Sequence, residues 1–160
     1  MNSLIDKNNV QFRLMELRDL GRIVDIERAG YPIPWSRSVF EDCFSKQNEC
    51  WVLEFDGKLC GYAIISMILD EAHLLNLCID PLYGRRGLGR VLLRHIVDRA
   101  VSRNASVFFL EVRTSNKHAI GLYFSEGFNE VGIRPNYYPT LEGREDALLM
   151  TLELSINLRV

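Results

Sequence analysis

Along this chain the apolar positions change rhythm several times, and each change marks an element. Val10, Phe12 and Leu14 alternate with polar residues, the spacing of a half-buried strand over residues 10–16. Leu20, Ile23, Val24 and Glu27 then recur at helical intervals, with Asp19 placed to cap the start and Pro32 and Pro34 to stop the element. Ser36 is the expected N-cap of a second, short helix carrying Val39, Phe40 and Phe44. Apolar runs at 51–55 and 59–69 meet at Asp56-Gly57, a strong hairpin-turn signal. A further run at 72–79 ends at Asp80-Pro81, so the middle of the chain reads as an antiparallel meander.

The period then turns helical. Leu88, Leu92, Ile96 and Ala100 form one stripe, backed by Val91. Residues 106–112 read as a buried strand and 116–126 as a helix ended by Gly127. Residues 128–133 and 147–154 complete a strand pair around a loop containing Pro and Gly. The predicted order is β-α-α-β-β-β-α-β-α-β-β. With 160 residues and no repeat or long linker, it describes one α/β domain over 1–160, a mixed and mostly antiparallel sheet flanked by helices.

Composition sharpens this by exclusion. The 19 basic and 21 acidic residues leave a formal net charge of −2, so there is no global basic field and no direct nucleic-acid contact is expected. The apolar runs are too short to span a bilayer, and residues 1–10 lack the apolar centre of a signal peptide. Cys43, Cys50, Cys60 and Cys78 show no CxxC spacing, and His73, His95 and His118 no HExxH pattern. No metal and no disulfide framework is therefore expected. The cysteines read as reduced thiols of a cytoplasmic protein.

One loop carries candidate chemistry. Gly84-Arg85-Arg86-Gly87-Leu88-Gly89-Arg90 lies after a predicted strand and opens a helix. A helix N-terminus offers unpaired N–H groups and a partial positive charge to a phosphate. Gly87 and Gly89 remove the Cβ atoms that would hold an anion off the backbone, and Arg85, Arg86 and Arg90 add charge-assisted donors. The spacing is neither the dinucleotide GxGxxG nor the Walker GxxxxGK(S/T). On the glycines alone, a turn capping a surface helix with solvated arginines fits equally well. Arg86, Arg90 and Arg94 have the i,i+4 spacing of a shared helix face.

Ile79-Asp80-Pro81, followed by Arg85 to Arg90 and an apolar helix, resembles the acetyl-CoA motif of the GNAT acetyltransferases. Four further segments make the chain similar to the RimI type, the bacterial ribosomal-protein-alanine N-acetyltransferases. They are Pro34-Trp35-Ser36, Leu110-Glu111-Val112-Arg113 with Asn116, Leu122-Tyr123 with Gly127-Phe128, and Asn136-Tyr137-Tyr138-Pro139 with Gly143-Arg144-Glu145-Asp146-Ala147. The resemblance covers nearly the whole chain. It implies acetyl-CoA as cosubstrate, its phosphates on Arg85, Arg86, Gly87, Leu88, Gly89 and Arg90, in a cofactor cleft between splayed central strands. It implies a pantetheine arm along the backbone of Leu77, Cys78 and Ile79, with Asn116 on the arm's other side. It also implies the N-terminal alanine of a small-subunit ribosomal protein as acceptor, and leaves the oligomeric state open. A GNAT enzyme acting on lysines or a small amine is the alternative; a non-catalytic CoA-binding module would have no need of an acid–base pair.

Acetyl transfer from a thioester to an amine requires a neutral amine, a stabilised oxyanion and a protonated leaving thiolate. An α-amine, with a pKa of roughly 7.7–8.0, needs only a modest base. Glu111, near the end of a predicted strand, is the best carboxylate for it. By spacing alone an ion pair with Arg113 is the favoured reading of Glu111; the resemblance reverses this and implies the base. Tyr123, two turns into the next helix, is by resemblance the acid that protonates the thiolate, and by composition a core aromatic beside Phe124 and Phe128. Cys78 raises a covalent route, but no histidine is placed to activate it. Trp35 and Tyr138 are candidate walls of the acceptor site. Arg144, in the Tyr137-Tyr138-Pro139 loop, reads otherwise as paired to a neighbouring acid.

Overall fold

The computed structural model describes residues 7–154, so most of the stretch read above for a signal peptide lies outside the described residues. The elements are β1 (Val10–Leu14), α1 (Leu20–Gly30), α2 (Arg37–Asp42), β2 (Asn48–Phe55), β3 (Lys58–Ile68), β4 (Glu71–Ile79), α3 (Leu88–Ser102), β5 (Val107–Arg113), α4 (Lys117–Ser125), β6 (Asn129–Thr140) and β7 (Gly143–Glu153), with short 3-10 turns at 7–9, 17–19 and 81–83. This is the predicted order. The strands form a seven-stranded sheet in the order β1-β2-β3-β4-β5-β7-β6. The β4–β5 pair is parallel and therefore needs a crossover, which α3 supplies. No helix among the described residues is long and apolar enough to cross a membrane.

The described residues pack as two compact units, residues 7–66 with 75–96, and residues 67–74 with 97–154. In the first, β1, β2 and β3 pair antiparallel. The β2–β3 turn takes positive φ at both Asp56 (51°) and Gly57 (76°), the twist a two-residue hairpin requires. Helix α1 buries Leu20, Ile23, Val24 and Ile26 against Phe40, Tyr62 and Ile64. Trp35, Phe40 and Tyr62 continue that core as a run of tilted and edge-on rings.

Two expected caps are not formed. Asp19 has helical backbone (φ −80°, ψ −17°), because the 17–19 turn runs straight into α1, and this geometry turns its side chain away from the helix. Its carboxylate instead accepts two bonds from the Arg13 guanidinium (2.8 and 2.9 Å) and one from the Glu16 N–H (2.8 Å). Ser36 has the extended backbone of a cap, yet its hydroxyl meets that of Ser38 (3.0 Å).

In the second unit the start of β4 runs parallel to β5, from Glu71↔Val107 to Leu74↔Leu110, where the register ends. On its other edge β5 pairs with β7 along its whole length, Val107↔Glu153 to Arg113↔Ala147. The strict alternation of burial along β5 puts Phe108, Leu110 and Val112 in the core. Phe108 and Phe128 meet edge-on, and Tyr123 packs on Phe128. The exposed Phe124 is not part of this cluster, contrary to the core reading of Tyr123 beside both phenylalanines.

The expected loop between the last two strands is absent. Strands β6 and β7 continue past it to Thr140↔Gly143, joined by a two-residue tip.

The Arg13 guanidinium holds Asp19 below the ordinary carboxylate range. A depressed pKa stabilises the fold above about pH 4 and ceases to do so as pH falls through the native value. Asp19→Asn is therefore expected to cost about 1.5–3 kcal/mol at pH 7. In urea titrations the gap between variant and wild type narrows steadily on acidification below about pH 4.

Candidate active site

The glycine loop belongs to the first unit. The first helical bond of α3 runs from the Val91 N–H to the Gly87 carbonyl (3.2 Å), so Gly87 is the N-cap. The N–H groups of the first turn have no carbonyl behind them within the helix, the arrangement that attracts an anion. Gly87 sits at φ 76° and Arg85 at φ 61°, a reversal that needs a glycine at 87 and strains any other residue there. Asp80 anchors the approach to the loop: it is buried, accepts the Leu82 N–H (3.0 Å) and pairs with Arg22.

Arg86 departs from its expected place. It precedes α3 and so shares no helix face with Arg90 and Arg94. Its guanidinium stacks over Tyr83 (5.5 Å) and Phe55 (5.8 Å), held by the ring quadrupoles.

Leu77, Cys78 and Ile79 form the end of β4. The Leu77 carbonyl accepts the Tyr31 hydroxyl, which uses one of its two lone pairs. The Cys78 thiol is buried and points toward the Ile26 carbonyl (3.9 Å). Burial, with a contribution from Glu27, pushes it up to about 12, so the thiolate required for a covalent route is not available near neutral pH. Trp35 is half-buried against the core, and its N–H reaches Glu27 (3.4 Å). Glu27 is itself buried and also accepts from Tyr62 and Asn76. A charged residue within the apolar stripe of α1 was the visible sign of this network.

In the second unit Glu111 and Arg113 share the face of β5 opposite the core. Their partners differ from the spacing-based reading. Glu111 pairs with Arg134 of β6 (3.3 Å), and Arg113 with Glu145 of β7 (3.0 Å). The cause is a two-residue irregularity in β6: Arg134 opposes Ala147, but Tyr138 opposes Glu145. In a regular ladder Asn136 would occupy that slot. The extra residues lift Tyr137 and Tyr138 side by side (4.9 Å), Tyr137 over Arg134 (4.7 Å) and Tyr138 over Arg113 (4.5 Å).

The strand opposite stabilises the bulge. Asp146 accepts the Asn136 N–H (2.9 Å), and Asn136 takes φ 50°. Arg144 donates to the carbonyls of Asn136 (2.7 Å) and Tyr137 (2.9 Å), so it is not paired to an acid as its alternative reading supposed.

Tyr123 is buried, and desolvation, then Tyr138, push its phenol well above the ordinary tyrosine range. Tyr138, pushed up to about 12 by burial and by Glu111, links the two candidates electrostatically. Asn116 caps α4 through its Oδ1, which accepts the Ala119 N–H (3.3 Å); its amide NH₂ is the group that remains for a ligand. Arg134 and Tyr137 were not singled out from the sequence as site residues. All four cysteines are free thiols, and no His/Cys/Asp/Glu group among the described residues is arranged to hold a metal.

Residues 20–128 match the Acetyltransferase (GNAT) family. The chain is 44% identical over 142 residues to the ribosomal protein bS18-alanine N-acetyltransferase of Escherichia coli strain K12, covering 89% of this chain and 96% of that one. The crystal structure of the ribosomal-protein-S18-alanine N-acetyltransferase from Escherichia coli superposes with a TM-score of 0.86 at 42% identity, over 94% of this chain and 99% of that one. The fold is shared, at a TM-score of 0.78 and 20% identity, with Salmonella typhimurium yncA, solved with its cofactor acetyl-CoA; the match spans 94% of this chain and 97% of that one. With the family match spanning more than half of its length and a relative of this identity matched almost from end to end, the chain belongs to the Acetyltransferase (GNAT) family.

Proposed function

We propose that this enzyme transfers the acetyl group of acetyl-CoA to the N-terminal α-amine of a protein beginning with alanine, the acceptor being the small-subunit ribosomal protein bS18. The observation that carries the acceptor is the 44% identity to the bS18-alanine N-acetyltransferase, spread over 89% of this chain and so including the segments around Trp35 and Tyr138. The cosubstrate assignment draws on the Gly87 turn and the open first turn of α3, which suit a polyphosphate.

Transfer is direct. Glu111, through water or by contact, takes a proton from the α-ammonium. The amine nitrogen then attacks the thioester carbonyl, a C–N bond forms, the C–S bond breaks, the thiolate takes the phenolic proton of Tyr123, and the nitrogen's second proton passes through water to the phenolate so formed. The environments suit these roles. Tyr123, buried among aromatic rings, keeps its proton through the whole neutral range. Glu111 is partly exposed and open to an incoming amine.

The acceptor is tested with acetyl-CoA and three probes: a peptide with N-terminal alanine, the same peptide with a blocked terminus and an internal lysine, and a polyamine. Acetylation of the first alone is expected; acetylation of lysine or polyamine alone would overturn the acceptor and leave the family intact.

The acid–base pair is tested separately. Glu111→Gln and Tyr123→Phe are each expected to lower kcat by about 10²–10⁴-fold with CoA binding retained. Wild-type turnover in either variant removes that residue from the mechanism.

A further inference from the structure

The two guanidinium groups over the tyrosines of β6 are held very differently. Arg113 donates to the Pro139 carbonyl (2.7 Å) and to Glu145 (3.0 Å), stacks on Tyr138, and its side chain is only 20% exposed. Arg134 is 50% exposed, touches Glu111 through one contact of 3.3 Å and otherwise rests on the face of Tyr137. Ala147, itself fully buried, opposes both arginines across the ladder. Arg113 is thus fixed in place. Arg134 forms a solvated ion pair, a kind of contact worth little and exchanged at little cost.

The Glu111 carboxylate, 31% exposed, is reachable by a second cation. At pH 7 most α-amines are still ammonium ions, since their pKa is roughly 7.7–8.0. The acceptor therefore arrives carrying the same charge as the group already on Glu111.

We propose that Arg134 is a positioning residue that occupies Glu111 in the free enzyme and is displaced by the α-ammonium of the acceptor. This rests on Glu111 being the base. Arg134 holds the carboxylate aimed outward from β5 and yields it only to a ligand that brings a positive charge of its own. Tyr137 is the second half of the device, because its ring face holds the guanidinium once it has left the carboxylate. The bulge that carries Tyr137 is braced by Arg144 and Asp146, so its backbone need not move during the exchange.

The test compares two ligands on wild type, Arg134→Gln and Arg134→Lys. One is the alanine peptide, read as KM. The other is the same peptide with its α-amine replaced by hydroxyl, read as the inhibition constant of an uncharged analogue. Removing an internal competitor is expected to lower the peptide KM in Arg134→Gln by about two- to fivefold, the range open to an exposed pair. Arg134→Lys restores the wild-type KM, and the inhibition constant of the hydroxyl analogue is the same in all three proteins.

A peptide KM that rises or does not change in Arg134→Gln overturns the proposal. So does an inhibition constant that moves in parallel with KM, because a merely structural role would shift both. Glu111→Gln separates the two levels. If that variant turns over like wild type, the base assignment fails; if it is inactive while Arg134→Gln leaves KM unmoved, only the exchange fails.

Discussion

The period-two alternation along β5 is the constraint from which the chemistry of this protein follows. Phe108, Leu110 and Val112 are committed to the core, so Phe109, Glu111 and Arg113 must lie on the other face. Two opposite charges two residues apart on one strand invite mutual pairing. Here they are separated because β6 and β7 provide each with a partner of its own, Arg134 for Glu111 and Glu145 for Arg113. A one-residue slip of β5 would exchange the faces and place both charges in the core, so the burial of Phe108 fixes Glu111 as firmly as any direct contact does.

The bulge in β6 is the second step of the same argument. Edge strands tolerate irregularity, and Pro135 can sit there without breaking a central ladder. Two extra residues preserve the inward and outward alternation while changing which residue fills each slot. Tyr138 replaces Asn136 opposite Glu145, and an aromatic face becomes available to each guanidinium. At the bulge the Asn136 N–H is met by Asp146 and the Asn136 and Tyr137 carbonyls by Arg144, in place of ladder bonds.

These points explain what was legible in the sequence. The order of elements was, because hydrophobic period is a local property: the stripe from Leu88 to Ala100 is buried as read, and Asp56-Gly57 makes the turn it signals. The residues at Glu111, Tyr123 and Tyr138 were legible only through resemblance to a family. What stayed hidden was every choice of partner made across strands. Arg113 stands two positions from Glu111, and spacing favours it. Arg134 stands 23 positions away, and its pairing depends on a register shift that Arg144 and Asp146 impose from the neighbouring strand. Asp19 failed as a cap for the same reason, since Arg13 from β1 claimed its carboxylate. Arg86 falls two residues short of α3 because a helix start cannot be fixed to the residue by period, and its guanidinium lies over the rings of Phe55 and Tyr83.

The environments of Glu111 and Tyr123 differ in a way that suits the base and acid roles proposed for them. Both residues project from the same unit, and Tyr138 senses each of them. Burial against Phe128 raises the Tyr123 phenol and keeps its proton on it through the neutral range, so that in the proposed role it is present as a donor when the thiolate departs. Glu111 faces solvent and the Arg134 guanidinium, a partly exposed pair open to exchange. The Cys78 thiol on the proposed cofactor strand is silenced by burial. On the proposed roles, one carboxylate lies partly open to water and one phenol is closed to it, a separation of acceptor from donor that suits direct amine acetylation.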